Sequence, residues 1–257
     1  MNKLLSVFAC TAALLSTPLM AKEVRLASDF TYPPFNYKDA SGTPVGFDIE
    51  IADALCKEAK LDCTWVSQGW DSLIPSLLAR KSDVIMASMR ITEDRKKRVL
   101  FTDKYYQTPA RFVAKADSGI EITKEGLKDK VIGVQTGTIH DMYVTDKFGS
   151  VATIKRYSGQ DEVYLDMANG RLDVTFGNSD QLALAFLDKE VGQGFDFVGA
   201  AVTDKAYIGE GTALALRKTD KELAEKFNQA IKAIRSNGTY DKIAAKYFSF
   251  DIYGEEL

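Results

Sequence analysis

The chain has 257 residues, with 33 Lys and Arg against 36 Asp and Glu and a formal net charge of −3 at pH 7. That mildly acidic balance gives it no electrostatic reason to seek nucleic acid, and its length allows one large domain or two smaller ones, each able to bury a core. A single histidine, His140, and the pair Cys56 and Cys63 cannot fill a zinc shell, so neither a metal site nor a cofactor is expected.

Residues 1–21, MNKLLSVFACTAALLSTPLMA, place Lys3 ahead of an apolar run and end on the small residue Ala21, with charge resuming at Lys22. This reads as a cleaved secretory signal. A membrane anchor needs about 20 uninterrupted apolar residues, which Pro18 and its Ser and Thr neighbours interrupt. Lipid attachment through Cys10 is opposed by the short apolar stretch before it. Export places the remainder in an oxidising compartment, where Cys56 and Cys63 read as one disulfide, against the alternative of two buried free thiols.

In chain order, VRLAS (24–28) reads as a strand, and FDIEIADALCKEAK as a helix with Asp48 as its N-cap and Ile49, Ala52, Leu55 and Ala59 near one face. CTWVS is a strand, WDSLIPSLLARK is helical with Pro75 tolerable only near its first turn, and DVIMAS is a strand again. An extended run at 110–116 leads into a fresh alternation. It comprises strand KVIGV, a helix near 138–148, strand ATIKRY, a helix near 159–169, strand DVTFG and a helix near 179–190. Two terminal helices, 220–236 and 239–248, close the chain. The alternation predicts an α/β architecture with largely parallel sheets, and two such units joined by extended connections predict two lobes and a hinge.

Ligands of open α/β sheets sit beyond the carboxyl ends of the strands. The residues found there are Asp29 and Tyr32, Trp70, then Ser88, Arg90, Thr92 and Arg95, then Gln135 to His140, and Asn178. They are polar and aromatic, with no nucleophile paired to a base, no phosphate loop and no metal set. Such a set suits a cleft for a small zwitterion. The basic stretch ASMRITEDRKKR (87–98) lies in this region, and its Lys96, Lys97 and Arg98 read as a solvated helix face.

The segments TYPPFNYKDASGTPVGFDIEIADALCKE, WDSLIPSLLARKSDVIMASMRITEDRKKRVLFTDKYY, GVQTGT, GRLDV and GTYDKIAAKYF resemble the periplasmic solute-binding proteins for polar amino acids. The cysteine pair and the YDKIAAKYF tail look most like the lysine/arginine/ornithine and histidine binders. The resemblance implies a periplasmic, monomeric receptor that delivers an amino acid to an inner-membrane ABC permease. It implies two lobes, with residues 22–109 and 207–257 in the first, 110–206 in the second, and hinge segments near 109–112 and 202–208. It also implies that Arg95 clamps the ligand α-carboxylate, a task for which a planar guanidinium fork suits better than a lysine. Tyr32 and Trp70 would sandwich the ligand side chain, although core packing is a rival reading of Trp70. Asp29 would meet a distal cation, with a local turn role as its rival. Thr138 would donate through its backbone and hydroxyl from a helix N-terminus, and Ala87, Ser88 and Gln135 would line the site.

Three positions depart from the family pattern. Asn178 stands where an aspartate usually neutralises the ligand α-ammonium, Arg90 replaces a serine-like residue, and His140 replaces a glutamine. Asp180, two residues on, could supply the missing charge, but a helical register points it elsewhere. Arg90 is expected to repel a basic ligand unless an acid pairs with it. A basic amino acid is the leading ligand, because Asp29, Tyr32 and Trp70 persist. An opine or another carboxylate-bearing derivative is the alternative. A periplasmic dehydratase, with His140 as a proton donor near neutral pH, is the more distant one.

Overall fold

The computed structural model describes residues 23–254; the secretory signal expected over 1–21 lies outside them. The chain opens with β1 (Val24–Ser28), a ribbon of β2 (Thr31–Tyr32), β3 (Asn36–Lys38) and β4 (Pro44–Val45), and α1 (Phe47–Glu58). It continues through β5 (Cys63–Ser67), α2 (Leu73–Leu78), β6 (Val84–Ile85), α3 (Glu93–Lys96) and β7 (Leu100–Phe101). A second unit holds β8 (Ala110–Lys115), β9 (Val131–Gln135), α4 (Ile139–Phe148), β10 (Thr153–Tyr157) and α5 (Gln160–Ala168). It ends with β11 (Val174–Asn178), α6 (Ser179–Leu182) and β12 (Phe195–Val202). The chain then returns through α7 (Lys205–Ile208) to β13 (Ala215–Leu216), α8 (Lys221–Ser236) and α9 (Thr239–Ala244).

Two five-stranded sheets result, in the orders β5-β1-β6-β13-β7 and β10-β9-β11-β8-β12. In the first, β1 runs parallel to β5 and β6 while β13 is antiparallel to β6 and β7. In the second, β9 is parallel to β10 and β11 while β8 is antiparallel to β11 and β12. Each sheet is therefore an even mixture rather than largely parallel. The antiparallel pairs arise where the chain passes between sheets, after β7 and again before β13.

Each sheet carries its own core. Helix α1 buries Phe47, Ile51, Ala52 and Leu55, and α8 buries Ala224, Phe227, Ala230, Ile231 and Ile234 at helical spacing. Both stripes pack with Phe35, Tyr105, Tyr106 and Phe248 in one cluster. In the second unit, Phe112 and Phe176 stack at 4.2 Å inside a separate cluster with Ile132, Val134 and Val144.

Two expectations need correction. Helix α1 starts at Phe47 with Gly46 at its N-cap, not with Asp48. Gly46 has φ 123°, and a Cβ there would lie 2.3 Å from the Phe35 carbonyl oxygen, so only glycine lets the ribbon turn into the helix. Asp48 is instead fully buried inside the lobe. The helix expected over 179–190 stops at Leu182, continues as a π-helical turn over Ala183–Leu187 and ends in a 3-10 turn over Glu190–Gly192. The wide turn resets the register and seats Phe186 flat against Tyr164, with ring centroids 5.0 Å apart.

Cys56 and Cys63 are joined in a disulfide that ties the end of α1 to the start of β5. A loop this short stabilises by about 2 kcal/mol through the unfolded chain. Replacing both cysteines by serine should move the urea unfolding midpoint down accordingly. An unchanged midpoint would show that the bridge adds nothing to stability.

Candidate functional site

Asp29, Tyr32, Trp70, Ala87, Ser88, Arg90, Arg95, Gln135, Thr138, His140 and Asn178 all line one cleft between the two sheets, with a cavity volume of about 30 Å³. That is far below the roughly 300–1,000 Å³ of an open small-molecule site, so the walls of the cleft nearly meet across it. A larger open depression, edged by Lys104, Lys218, Lys221 and Lys232, lies on the outer face. It includes none of the eleven candidate residues, so their chemistry points to the interior cleft. Two more residues line that cleft, Gln160 and Ile139, the latter inside the strand-end run 135–140 but not among the eleven candidates. Gln160 opens α5 directly after β10, so it too sits beyond a strand end, a position that could have flagged it. Ile139 gives no polar signal.

At one end, Asp29 accepts from Thr31 Oγ1 at 3.0 Å and from Gln135 Nε2 at 3.3 Å through its Oδ2. Its Oδ1 is buried with no hydrogen-bond partner among the described residues. Burial pushes the Asp29 carboxyl above the usual carboxylate range, opposed by those two donors. Gln135 also donates to the Ser158 carbonyl at 3.1 Å, so a residue of the second sheet bridges to a carboxylate of the first.

The other end is cationic. Arg95 lies on α3, which Thr92 caps by accepting from the Arg95 N–H. Its guanidinium sits 5.3 Å from the Trp70 ring centroid, and Nη1 donates to the Arg90 carbonyl at 3.1 Å. Burial, reinforced by Arg90, lowers its pKa to about 10, so it stays charged at neutral pH. Trp70 thus faces a cation of the protein while also packing against the cluster of Leu73, Leu77 and Ala87, so the core-packing reading is partly realised.

Arg90 is an extra cation of the cleft, and no acid hydrogen-bonds to it among the described residues. It is 2% exposed. Its Nη2 donates to Thr108 Oγ1 and Asn178 Oδ1, both at 2.8 Å, and to the Thr108 carbonyl. Those partners are neutral. Burial lowers its pKa, and the nearby Asp180 acts on it in the opposite sense without bonding to it. Asp180 does not line the cleft. Asn178 donates in turn to Tyr32 OH at 2.9 Å, so one amide from β11 joins two side chains of the first lobe.

Three candidates have less freedom than the sequence implied. Thr138 is the N-cap of α4: its hydroxyl accepts from Asp141 N–H and donates to the Gln135 carbonyl at 2.8 Å, leaving the backbone N–H groups for a ligand. Ser88, at φ 52°, donates its hydroxyl to buried Asp48 at 2.8 Å. His140 is buried edge-on to Phe176, and burial with the Arg90 charge lowers its pKa to about 3. Neutral near pH 7, it does not carry the proton titrating near neutrality that the dehydratase reading gives it.

A model of bacterial extracellular solute-binding proteins, family 3, matches residues 24–250. An L-arginine-binding protein of Pseudomonas aeruginosa is 46% identical over 99% of this chain and 99% of its own length. A lysine/arginine/ornithine-binding periplasmic protein of Escherichia coli is 42% identical over 92% of this chain and 91% of its own. Among solved structures, a Salmonella typhimurium periplasmic binding protein described for high arginine specificity aligns with a TM-score of 0.81 at 31% identity. The alignment covers 89% of this chain and 100% of that one.

Proposed function

Because the chain belongs to the bacterial extracellular solute-binding proteins, family 3, we propose that it captures a basic amino acid or a derivative of one in the periplasm and delivers it to an ABC permease. The reading is of a binder, not an enzyme, in line with relatives named for binding arginine, lysine, ornithine or histidine. The observation that carries it is the polarity of the cleft: a charged guanidinium, Arg95, and a half-buried carboxylate, Asp29, line the same small cavity. A ligand with a carboxylate and a remote cation satisfies both. The α-carboxylate takes the fork of Arg95 and the N–H groups at the start of α4. The distal cation takes the unpartnered Oδ1 of Asp29. Closure of the two lobes about the crossings after β7 and before β13 encloses it, held by bridges such as Gln135 to Asp29. Residues 22–109 with 207–257, and 110–206, are the units we assign to the two lobes.

Calorimetric titration of unfolded and refolded, ligand-free protein tests this reading. Heat is expected from arginine, lysine, ornithine or their Nα-substituted derivatives, and none from leucine or glutamate. Asp29→Asn should weaken the basic ligands at least tenfold, about 1.4 kcal/mol, since a charged hydrogen bond contributes ~1.5–3 kcal/mol. Binding of glutamate alone, or an indifferent Asp29→Asn, would sink it.

A further inference from the structure

The cationic end of the cleft holds more donors than one carboxylate can use. Arg90 and Arg95 both line it, and the Arg95 guanidinium donates to the Arg90 backbone, so the two residues adjoin. Arg90 spends a single nitrogen, Nη2, on Thr108 and Asn178; its Nε and Nη1 are buried with no hydrogen-bond partner among the described residues. Buried guanidinium N–H groups without acceptors are costly, and an arriving acceptor recovers that cost.

A free α-amino acid brings a carboxylate with an ammonium one bond away. The ammonium is best met by a carboxylate, and the side-chain oxygens at this end of the cleft are neutral and already share in hydrogen bonds. Asn178 Oδ1 accepts from Arg90, Tyr32 OH accepts from Asn178, and the Ser88 hydroxyl is turned toward Asp48. The lining carboxylate, Asp29, lies among Thr31 and Gln135 and shares no hydrogen bond with either arginine. Asp180 does not line the cleft.

We propose that Arg90 and Asn178 make this headgroup subsite select against a free α-ammonium and for a second acceptor beside the carboxylate. The preferred ligand class is a basic amino acid whose α-nitrogen carries a carboxyalkyl group, or whose α-nitrogen is replaced by an oxygen. Two carboxylates around one secondary ammonium leave a headgroup of net negative charge, matching two guanidiniums where a neutral zwitterion matches one. Asn178 orients Arg90 through its Oδ1 and holds the subsite shut on Tyr32 through its Nδ2.

The proposal rests on the reading of the site as a basic-ligand cleft, and a three-ligand titration separates the two. The ligands are L-arginine, its α-hydroxy analogue, which has nearly the same volume, and its Nα-carboxyethyl derivative, tested on refolded wild type and on Asn178→Asp. In the wild type, the hydroxy analogue or the carboxyethyl derivative should bind at least tenfold more tightly than arginine. In Asn178→Asp, the new carboxylate should accept the α-ammonium, and arginine should become the tightest of the three. Arginine binding as tightly as both analogues in the wild type would overturn the headgroup assignment and leave the basic-ligand reading standing. A wild-type preference that Asn178→Asp does not reverse would overturn the role given to Asn178 and Arg90. Silence from all three ligands would overturn the basic-ligand reading and the proposal with it.

Discussion

Arg95→Ala is expected to lose at least a hundredfold in affinity for every carboxylate ligand while the fold melts within a few degrees of the wild type. Two charge-assisted hydrogen bonds at ~1.5–3 kcal/mol each set the lower limit at about 3 kcal/mol, which is roughly a hundredfold in Kd. The fold has little to lose, because among the described residues the side chain makes one hydrogen bond, to the Arg90 carbonyl, and rests on Trp70. Its removal also relieves the unfavourable field it shares with Arg90. Helix α3 survives, since its cap is the Thr92 hydroxyl on the backbone N–H of residue 95, which alanine keeps. Arg95→Lys should fare little better, because an ammonium cannot form the planar two-point contact. Titration alongside a thermal melt checks both halves. Full affinity in Arg95→Ala would move the carboxylate clamp elsewhere, with Arg90 the next candidate.

What was legible in the sequence follows the reach of each signal. Strands such as VRLAS and the cap-to-helix step at Thr138 depend on residues within one turn of each other, and both stand where the pattern puts them. The strand-end rule collected most of the cavity residues, along with Thr92, Thr136 and Gly137 that do not line it, because backbone topology decides where a cleft opens. Side-chain commitments were another matter. Asp48 looks like a cap from its neighbours in sequence, but its partners Asn36, Ser88 and Tyr105 are 12, 40 and 57 positions away. Arg90 reads as an unpaired charge, and its neutral hydrogen-bond partners Thr108 and Asn178 come from 18 and 88 positions away. The break in the 179–190 helix likewise answers to Tyr164, on another element. Patterns of local period cannot carry such pairings, and the neutral state of His140 depends on burial that only the assembled lobes create.

Asp48→Ala should be the most destabilising single change near the cleft, lowering the unfolding free energy by about 3–5 kcal/mol. The carboxylate is fully buried and receives three donors: Asn36 Nδ2 at 2.8 Å, Ser88 Oγ at 2.8 Å and Tyr105 OH at 2.7 Å. Alanine orphans all three, at ~1–3 kcal/mol for each buried donor left unmade, a large part of a total stability of about 5–15 kcal/mol. For a domain of this size the melting midpoint should fall by roughly 10 °C. Ser88 forms part of the cleft wall at a positive φ, so ligand affinity should weaken as its anchor goes. Asp48→Asn separates charge from shape: it keeps the volume but turns an N–H₂ toward groups that are themselves donors. Burial raises the Asp48 carboxyl from 3.8 to about 6, overcoming the opposing pull of its three donors. A folded-state pKa above the unfolded one means the folded protein holds this proton more tightly. The resulting contribution is fully present below about pH 4 and is lost as pH rises through about 6. Wild type should therefore gain on Asp48→Asn as the pH of a urea melt is lowered from about 7 to about 5. A difference that stays flat across that window would mean the carboxylate is already ionised at pH 5 and that its three donors, not its burial, govern the site. An Asp48→Ala midpoint close to the wild type would mean that water or a local shift takes over all three donors, and that the anchor of Ser88 lies elsewhere.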